Sequence, residues 1–367
     1  MKVPYINLAA QHIPIMSELL AEVESVLKTG QFILGKTVAD FEKKFAEICG
    51  ANYAIGVANG TDALVLALKV AGIKAGDEVI TAPNSFLASA SSIALAGAIP
   101  VFADVRDDFN IDPEQIKKLI GPKTKAIMPV HLTGRPADMD AIMDIANAHN
   151  LIVIEDAAQA VGASYGNKKV GSIGHLACFS LHPLKNLSAA GDGGVITTNN
   201  QLYYEKLMIM RNHGLKNRDE CVYWSLNSRL DAMQAALLNV KLKYLANWTD
   251  RRRNLAAIYQ DRIKDLVKVP MDSNKEKAVY HTFIIQTEFR DELQEYLLAK
   301  DIESKVHYPI PIHFQEAAKQ LAYQKGDFPV TEAQVGKILS LPVYPELSDE
   351  QVHYVCDTII EFFKNKI

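Results

Sequence analysis

The stretch Tyr53–Ala71, YAIGVANGTDALVLALKVA, decides how the rest of the chain is read. Tyr53-Ala-Ile-Gly-Val57 has the apolar, β-prone character of a short strand, Asn59-Gly60-Thr61-Asp62 reads as a turn, and Ala63 to Ala71 as a helix. The same order then repeats. Strands are predicted at Glu78–Thr81, Pro100–Ala103, Ala126–Val130 and Leu151–Ile154, with helices at Ser85–Ala96, Pro113–Ile120 and Met139–His149 between them. Several strands are apolar on both faces, so the alternation predicts an α/β fold with a mainly parallel sheet covered by helices. Ligands of such sheets sit beyond the carboxyl ends of the strands. Asn59-Gly60-Thr61, Asn84-Ser85-Phe86, Asp156 and Gln159 all fall at those ends.

Working outward, helical spacing predicts helices over Pro14–Thr29, with Gly30 as C-cap, and over Val38–Cys49. Two more β-prone runs, Ala177–Leu181 and Val195–Thr198, flank a loop that contains Lys185 and the turn Gly191-Asp192-Gly193-Gly194. Helices follow at Gln201–Met210, Ala232–Leu245 and Asn247–Ile263. A smaller C-terminal α+β domain is expected after them, with a strand at Thr282–Gln286, a helix at Asp291–Ala299, a His- and Pro-rich loop from Val306 to Phe314 and a last helix at Asp349–Phe363. The expected division is residues 1–245 and 246–367.

The chain has 367 residues, 49% hydrophobic and 22% charged, the balance of an ordinary globular protein. A net charge of -4 and a pI near 6.2 give no electrostatic case for nucleic acid or an anionic membrane surface. Cys49, Cys178, Cys221 and Cys356 lie far apart without metal-ligand spacing, so reduced thiols and no metal are expected. The N-terminal MKVPYINLAAQHIPIM carries Gln11, His12 and two prolines where a secretory signal needs an apolar core, and no later stretch is apolar enough to span a bilayer. A cytoplasmic location is expected.

The chemistry is suggested by a few side chains. Lys185, between two apolar strands, is either a surface-loop lysine or an amine that desolvation makes easier to deprotonate, and a neutral amine can form a Schiff base. Asp156 closes an apolar strand; it either caps a following helix or pairs with a cation such as a protonated pyridine nitrogen. Gln159 would then reach a ring hydroxyl. Thr61 and the first helical N–H groups can hold a phosphate or simply form an N-cap, as Thr61 and Asp62 would equally do. Ser180 is a second phosphate contact or a buried serine bonded to its own backbone, and Phe86 a ring-stacking group or a core phenylalanine. Together they are the parts a pyridoxal phosphate (PLP) enzyme needs.

Gly60-Thr61-Asp62-Ala63-Leu64, Gly76-Asp77-Glu78-Val79-Ile80, Asn84-Ser85-Phe86, Pro129-Val130-His131-Leu132, Glu155-Asp156-Ala157-Ala158-Gln159, His182-Pro183-Leu184-Lys185-Asn186-Leu187, Gly191-Asp192-Gly193-Gly194, Arg211-Asn212-His213-Gly214 and Asn227-Ser228-Arg229-Leu230 resemble the DegT/DnrJ/StrS sugar aminotransferases over nearly the whole chain. The resemblance implies a fold-type I PLP enzyme acting as a homodimer with active sites at the subunit interface. By it, Lys185 matches the Schiff-base lysine, Asp156 the pyridinium partner, Gln159 the ring-hydroxyl contact and Phe86 the stacking group. Thr61, Asp62 and Ser180 match phosphate contacts, and Asn227 matches the asparagine that reaches the phosphate from the other subunit. Arg229, His307, Tyr308 and His313 fall where the family approaches its substrate.

The implied reaction moves an amino group from glutamate, leaving 2-oxoglutarate, through the pyridoxamine form to a keto nucleotide sugar. Gly-Asp-Gly-Gly resembles members acting on 3-keto rather than 4-keto sugars. Ser225-Leu226 stand where the family often has Gly-Tyr, and His182 and Leu184 replace a commoner aromatic and Thr. The rival readings are a PLP-dependent dehydratase, an aminotransferase for a non-sugar ketone such as an inosose, and a PLP-binding regulatory protein without turnover. Dehydratase members lack the lysine, which is present here.

Overall fold

Neighbouring residues of each central strand go to different cores, as the period of a strand requires. Ala126, Met128 and Ile154 pack with Leu64, Leu68, Ile93 and Leu207 on one face, whereas Ile127 and Val153 pack with Ile116, Met139, Ile142 and Ile145 on the other. This is why those strands read as continuous apolar runs. The computed structural model describes residues 1–366. Its main sheet has seven strands, in the order Tyr53–Val57, Gly194–Thr198, Leu176–Ser180, Ile152–Asp156, Thr124–Met128, Glu78–Thr81 and Ile99–Phe102.

Gly194–Thr198 runs antiparallel to both of its neighbours, and the other pairings are parallel. The chain leaving Leu176–Ser180 therefore turns back beside itself and needs no crossover helix. That return loop carries Lys185 and lies at the same sheet end as Asp156, because Leu176–Ser180 is parallel to Ile152–Asp156. A separate core joins Leu255, Tyr259 and Ile263 of the helix Leu245–Ile263 to Phe283 and Ile285, Leu339 and Leu341, and Val355 and Ile359. There the strand Phe283–Gln286 pairs antiparallel with Ile338–Leu341.

Three local expectations are corrected. The helix expected from Ala63 spans Gly60–Val70, with Asn59 as N-cap accepting from the Asp62 N–H at 2.8 Å, so Thr61 and Asp62 are first-turn residues and not caps. The helix expected from Ser85 spans Ala88–Leu95; Asn84 Nδ2 donates to the Phe109 carbonyl (2.9 Å) and holds the preceding residues outside it. No helix follows Asp156. It ends the strand Ile152–Asp156 and accepts from the Ala158 N–H at 3.2 Å in a turn, so the helix-cap reading falls. The strand Ile338–Leu341 and the helix Pro329–Val335 were not foreseen.

The edge strand Tyr53–Val57 is fixed by a buried ion pair. Glu42 accepts from the Gly56 N–H (2.7 Å) and bonds Arg211, whose Nη1 also donates to the Gly56 carbonyl at 3.1 Å. Removing one member of such a pair leaves the other charge buried, at a cost of about 3–5 kcal/mol. Arg211→Met is expected to lower the urea unfolding free energy by that order, and Glu42→Gln with Arg211→Met by less. Equal losses in the single and double variants would show that the stranded charge is not the cause.

Candidate active site

At the carboxyl ends of the parallel strands a cavity of 690 Å³ is lined by Gly60, Thr61, Asp62, Phe86, Ser89, Asp156, Gln159, Ser180, His182, Lys185, His281, His307 and Tyr308, among others. Three strand ends and two loops thus converge on one space. The helix Gly60–Val70 points its N-terminus into it. Asn59 satisfies the Asp62 and Ala63 N–H groups, which leaves those of Gly60 and Thr61 without an acceptor inside the helix. Asp62 lines the cavity but its amide is already occupied. Positive dipole charge and two open N–H groups make this helix end suited to an anion.

That helix end rests directly on Ser180. A Cβ on Gly60 would lie 2.8 Å from the Ser180 Cβ, and one on Gly194 would lie 2.3 Å from the Asn59 carbonyl oxygen. Only glycine fits at either position, so Gly60 and Gly194 bring the helix end, the Ser180 hydroxyl and the return strand together. The Ser180 Oγ accepts from the His182 N–H at 3.3 Å and retains donor capacity.

Asp156 is 4% exposed. Its Oδ2 accepts from the Ser89 hydroxyl at 2.7 Å and its Oδ1 from the Ala158 N–H at 3.2 Å, which fills about two of the roughly four acceptor positions of a carboxylate. Burial pushes its pKa up, while those two donors and the Lys185 charge pull it back. Lys185 responds in the opposite sense: burial lowers its amine to about 8, against a raising effect from Asp156. Two groups that would be fully ionised in water are thus both biased toward their neutral forms around one cavity.

Two of the surrounding imidazoles, those of His281 and His307, add no positive charge near pH 7. Burial, reinforced by Lys185, brings His307 down to about 4 and His281 well below its ordinary value. His307 Nδ1 bonds the Ser340 hydroxyl (2.9 Å), and His281 Nδ1 lies 3.3 Å from Asn186 Oδ1. Gln159 Oε1 accepts from the Thr133 N–H at 2.7 Å, and its side chain also bonds Tyr308, whose phenol burial raises to about 12. Phe86 is 54% exposed, 5.7 Å from the Tyr308 ring. It is no core phenylalanine.

Asn227 and Arg229 line a second cavity of 380 Å³, which shares Asn59 and Asp192 with the first. Their segment is held by an Asn212–Asn227 bridge and by Arg229 Nη1 on Asn212 Oδ1 (2.7 Å). Next to it Ser225 Oγ donates to the Met210 carbonyl at 2.6 Å, so the departure at Ser225-Leu226 keeps an ordered turn. His313 is not brought to either cavity. It is buried between Phe314 and Phe328, with Nε2 3.4 Å from Glu332. Ser89 and His281 were missed. Ser89 reads as one small polar residue among many, and His281 only as the residue before a strand.

The model of the DegT/DnrJ/EryC1/StrS aminotransferase family matches residues 14–360. The chain is 43% identical to a dTDP-3-amino-3,6-dideoxy-alpha-D-galactopyranose transaminase of Aneurinibacillus thermoaerophilus, covering 97% of this chain and 98% of that one. It is 44% identical to a pleiotropic regulatory protein of Geobacillus stearothermophilus over the whole of both. The crystal structure of NtdA from Bacillus subtilis with bound pyridoxamine phosphate superposes with a TM-score of 0.94 at 31% identity, over 99% of this chain and 85% of that one. The chain belongs to the DegT/DnrJ/EryC1/StrS aminotransferase family.

Proposed function

We propose that this aminotransferase uses pyridoxal phosphate to move an amino group from glutamate to a 3-keto nucleotide sugar. One observation carries the reading: a half-buried amine, Lys185, and a buried carboxylate with unfilled acceptor positions, Asp156, face the same cavity as an open helix N-terminus. The cofactor fits these residues by charge. Its phosphate suits the Gly60 and Thr61 N–H groups with the Ser180 hydroxyl, and its ring nitrogen suits Asp156. Bound, the cofactor supplies an electron sink and carries the amine between the two half-reactions.

The side chains divide the remaining work. Asp156, oriented by the Ser89 hydroxyl, would hold the ring nitrogen in its protonated form. Gln159 would hold the ring hydroxyl and Phe86 would cover a ring face. Lys185 Nζ, which faces the same cavity, would be the group that holds and moves the proton of the reacting carbon in both half-reactions. An amine near 8 is suited to both directions. Neutral His281 and His307 leave Lys185 free to do this without added repulsion.

The 3-keto preference draws support from Asp192 in Gly-Asp-Gly-Gly, which borders both cavities, and from the relative named for a 3-amino sugar. A homodimer is supported by Trp224, 96% exposed, beside exposed Val222 and Tyr223 and next to Asn227. In that dimer Asn227 and Arg229 serve the other subunit's site, with the cofactor held by residues 1–245 and the substrate approached from 246–367 by His307 and Tyr308. All four cysteines are free, Cys49, Cys178 and Cys356 buried and Cys221 exposed, which suits a cytoplasmic setting, and no helix among the described residues is long and apolar enough to cross a membrane.

The relative called a regulatory protein favours a second reading, cofactor binding without turnover. With PLP, glutamate and a panel of keto nucleotide sugars, glutamate-dependent amination is expected, and Lys185→Ala should slow it by at least about a hundredfold. Cofactor binding with no product on any ketone would select the regulator, and water loss without amination a dehydratase. Mixing inactive Lys185→Ala and Asn227→Ala chains should restore part of the activity through hybrid dimers carrying one intact site; no recovery would refute shared sites. In the cofactor-free chain, amine-reactive labelling of Lys185, read by peptide mass spectrometry, should rise with pH through a midpoint near 8, since the amine is protonated below it and nucleophilic above it. A midpoint near the ordinary 10.5 would mean that the amine is not desolvated.

A further inference from the structure

The helix Ala232–Lys241 ends in a lysine that is 1% exposed. Its Nζ donates to the Ser188 carbonyl at 2.7 Å and lies 3.3 Å from the Ser188 hydroxyl and 2.9 Å from His12 Nε2. An ammonium has three protons and no lone pair, so all three partners act as acceptors and His12 is neutral with its proton on Nδ1. Among the described residues no carboxylate pairs with Lys241. Burying an unpaired ammonium opposes folding, and a leucine at this helix position would pack without that cost. Burial accordingly brings the amine down to about 8.

What the buried amine grips is the loop of Lys185. Two turns earlier on the same helix, Gln234 holds Ala190 by both backbone groups, accepting from its N–H at 2.8 Å and donating to its carbonyl at 3.3 Å. From the other side Asn186 Nδ2 donates to the Val279 carbonyl at 3.0 Å. Residues 186, 188 and 190 are thus each tied to a different anchor, directly after Lys185, and the central tie is the only one of the three made by an ionisable side chain.

We propose that Lys241 is the positioning residue of Lys185: from its helix it fixes Ser188, so that the loop presents Lys185 to the cavity, and His12 completes the clamp. This rests on the role given to Lys185 above. Loosening the loop admits water to the Lys185 amine, which faces Asp156, His281, His307 and His182, and removes the desolvation that depresses it.

The test is the labelling midpoint of Lys185 in the cofactor-free chain, which needs neither cofactor nor ketone and so stands whether or not amine transfer is the activity. In Lys241→Met the midpoint is expected to rise from about 8 by about one unit, a tenfold slower labelling at fixed pH below it. His12→Leu, which removes one of the three acceptors, should shift it the same way by less. An unchanged midpoint in both overturns the proposal, as does a lowered melting temperature with an unchanged midpoint, the signature of a purely structural lysine. If Lys241→Met does not fold, His12→Leu decides alone.

Discussion

The site depends on one carboxylate that the fold buries without fully satisfying. Taking a carboxylate from water costs several kcal/mol even after relaxation, and Asp156 recovers part of this from the Ser89 hydroxyl and the Ala158 N–H. The rest is open toward the cavity. A partner that brings a cationic N–H to that place relieves a cost that burial of Asp156 imposes, so binding there is favoured by what folding left incomplete. Lys185 is the complement: an amine that loses its proton more easily because the same low-dielectric space surrounds it.

Both groups owe their places to sheet direction. Parallel strands deliver Asn59, Phe86 and Asp156 to one end, and the antiparallel return of Gly194–Thr198 brings the Lys185 loop to that end as well. Two missing Cβ atoms, at Gly60 and Gly194, then let a helix end touch Ser180 and the return strand. The helix dipole acts over about one turn, so this close approach is what makes Ser180 and the open amides one anion cradle.

Much of this was legible in the chain. Alternating strands and helices gave the layered sheet because hydrophobic period is a local property, and Asp156, Gln159, Ser180 and Lys185 stood out because polar residues interrupt apolar runs there. The helix start at Gly60 was misread since Asn59 can serve as either turn residue or cap, and only its bond to the Asp62 N–H decides. Ile338–Leu341 escaped because its pairing partner, Phe283–Gln286, is remote in sequence. Lys241 gave no signal: a lysine ending an amphipathic helix reads as a solvated face, and its burial depends on Ser188 and His12, which no periodicity links to it.

The ion pair of Glu42 and Arg211 sits in a longer chain of bonds. The Ser228 N–H donates to the Arg211 carbonyl at 2.9 Å and the Ala58 N–H to the Ser228 hydroxyl at 3.1 Å, so the peptide that ends in the Asn59 cap is stapled to the neighbour of Asn227. The Gly60 helix end and the Asn227 segment are therefore ordered together, and in the dimer proposed above that segment serves the partner. In a paired molecule, thermodynamic linkage makes the effect mutual: whatever factor assembly adds to cofactor affinity, the cofactor returns to assembly.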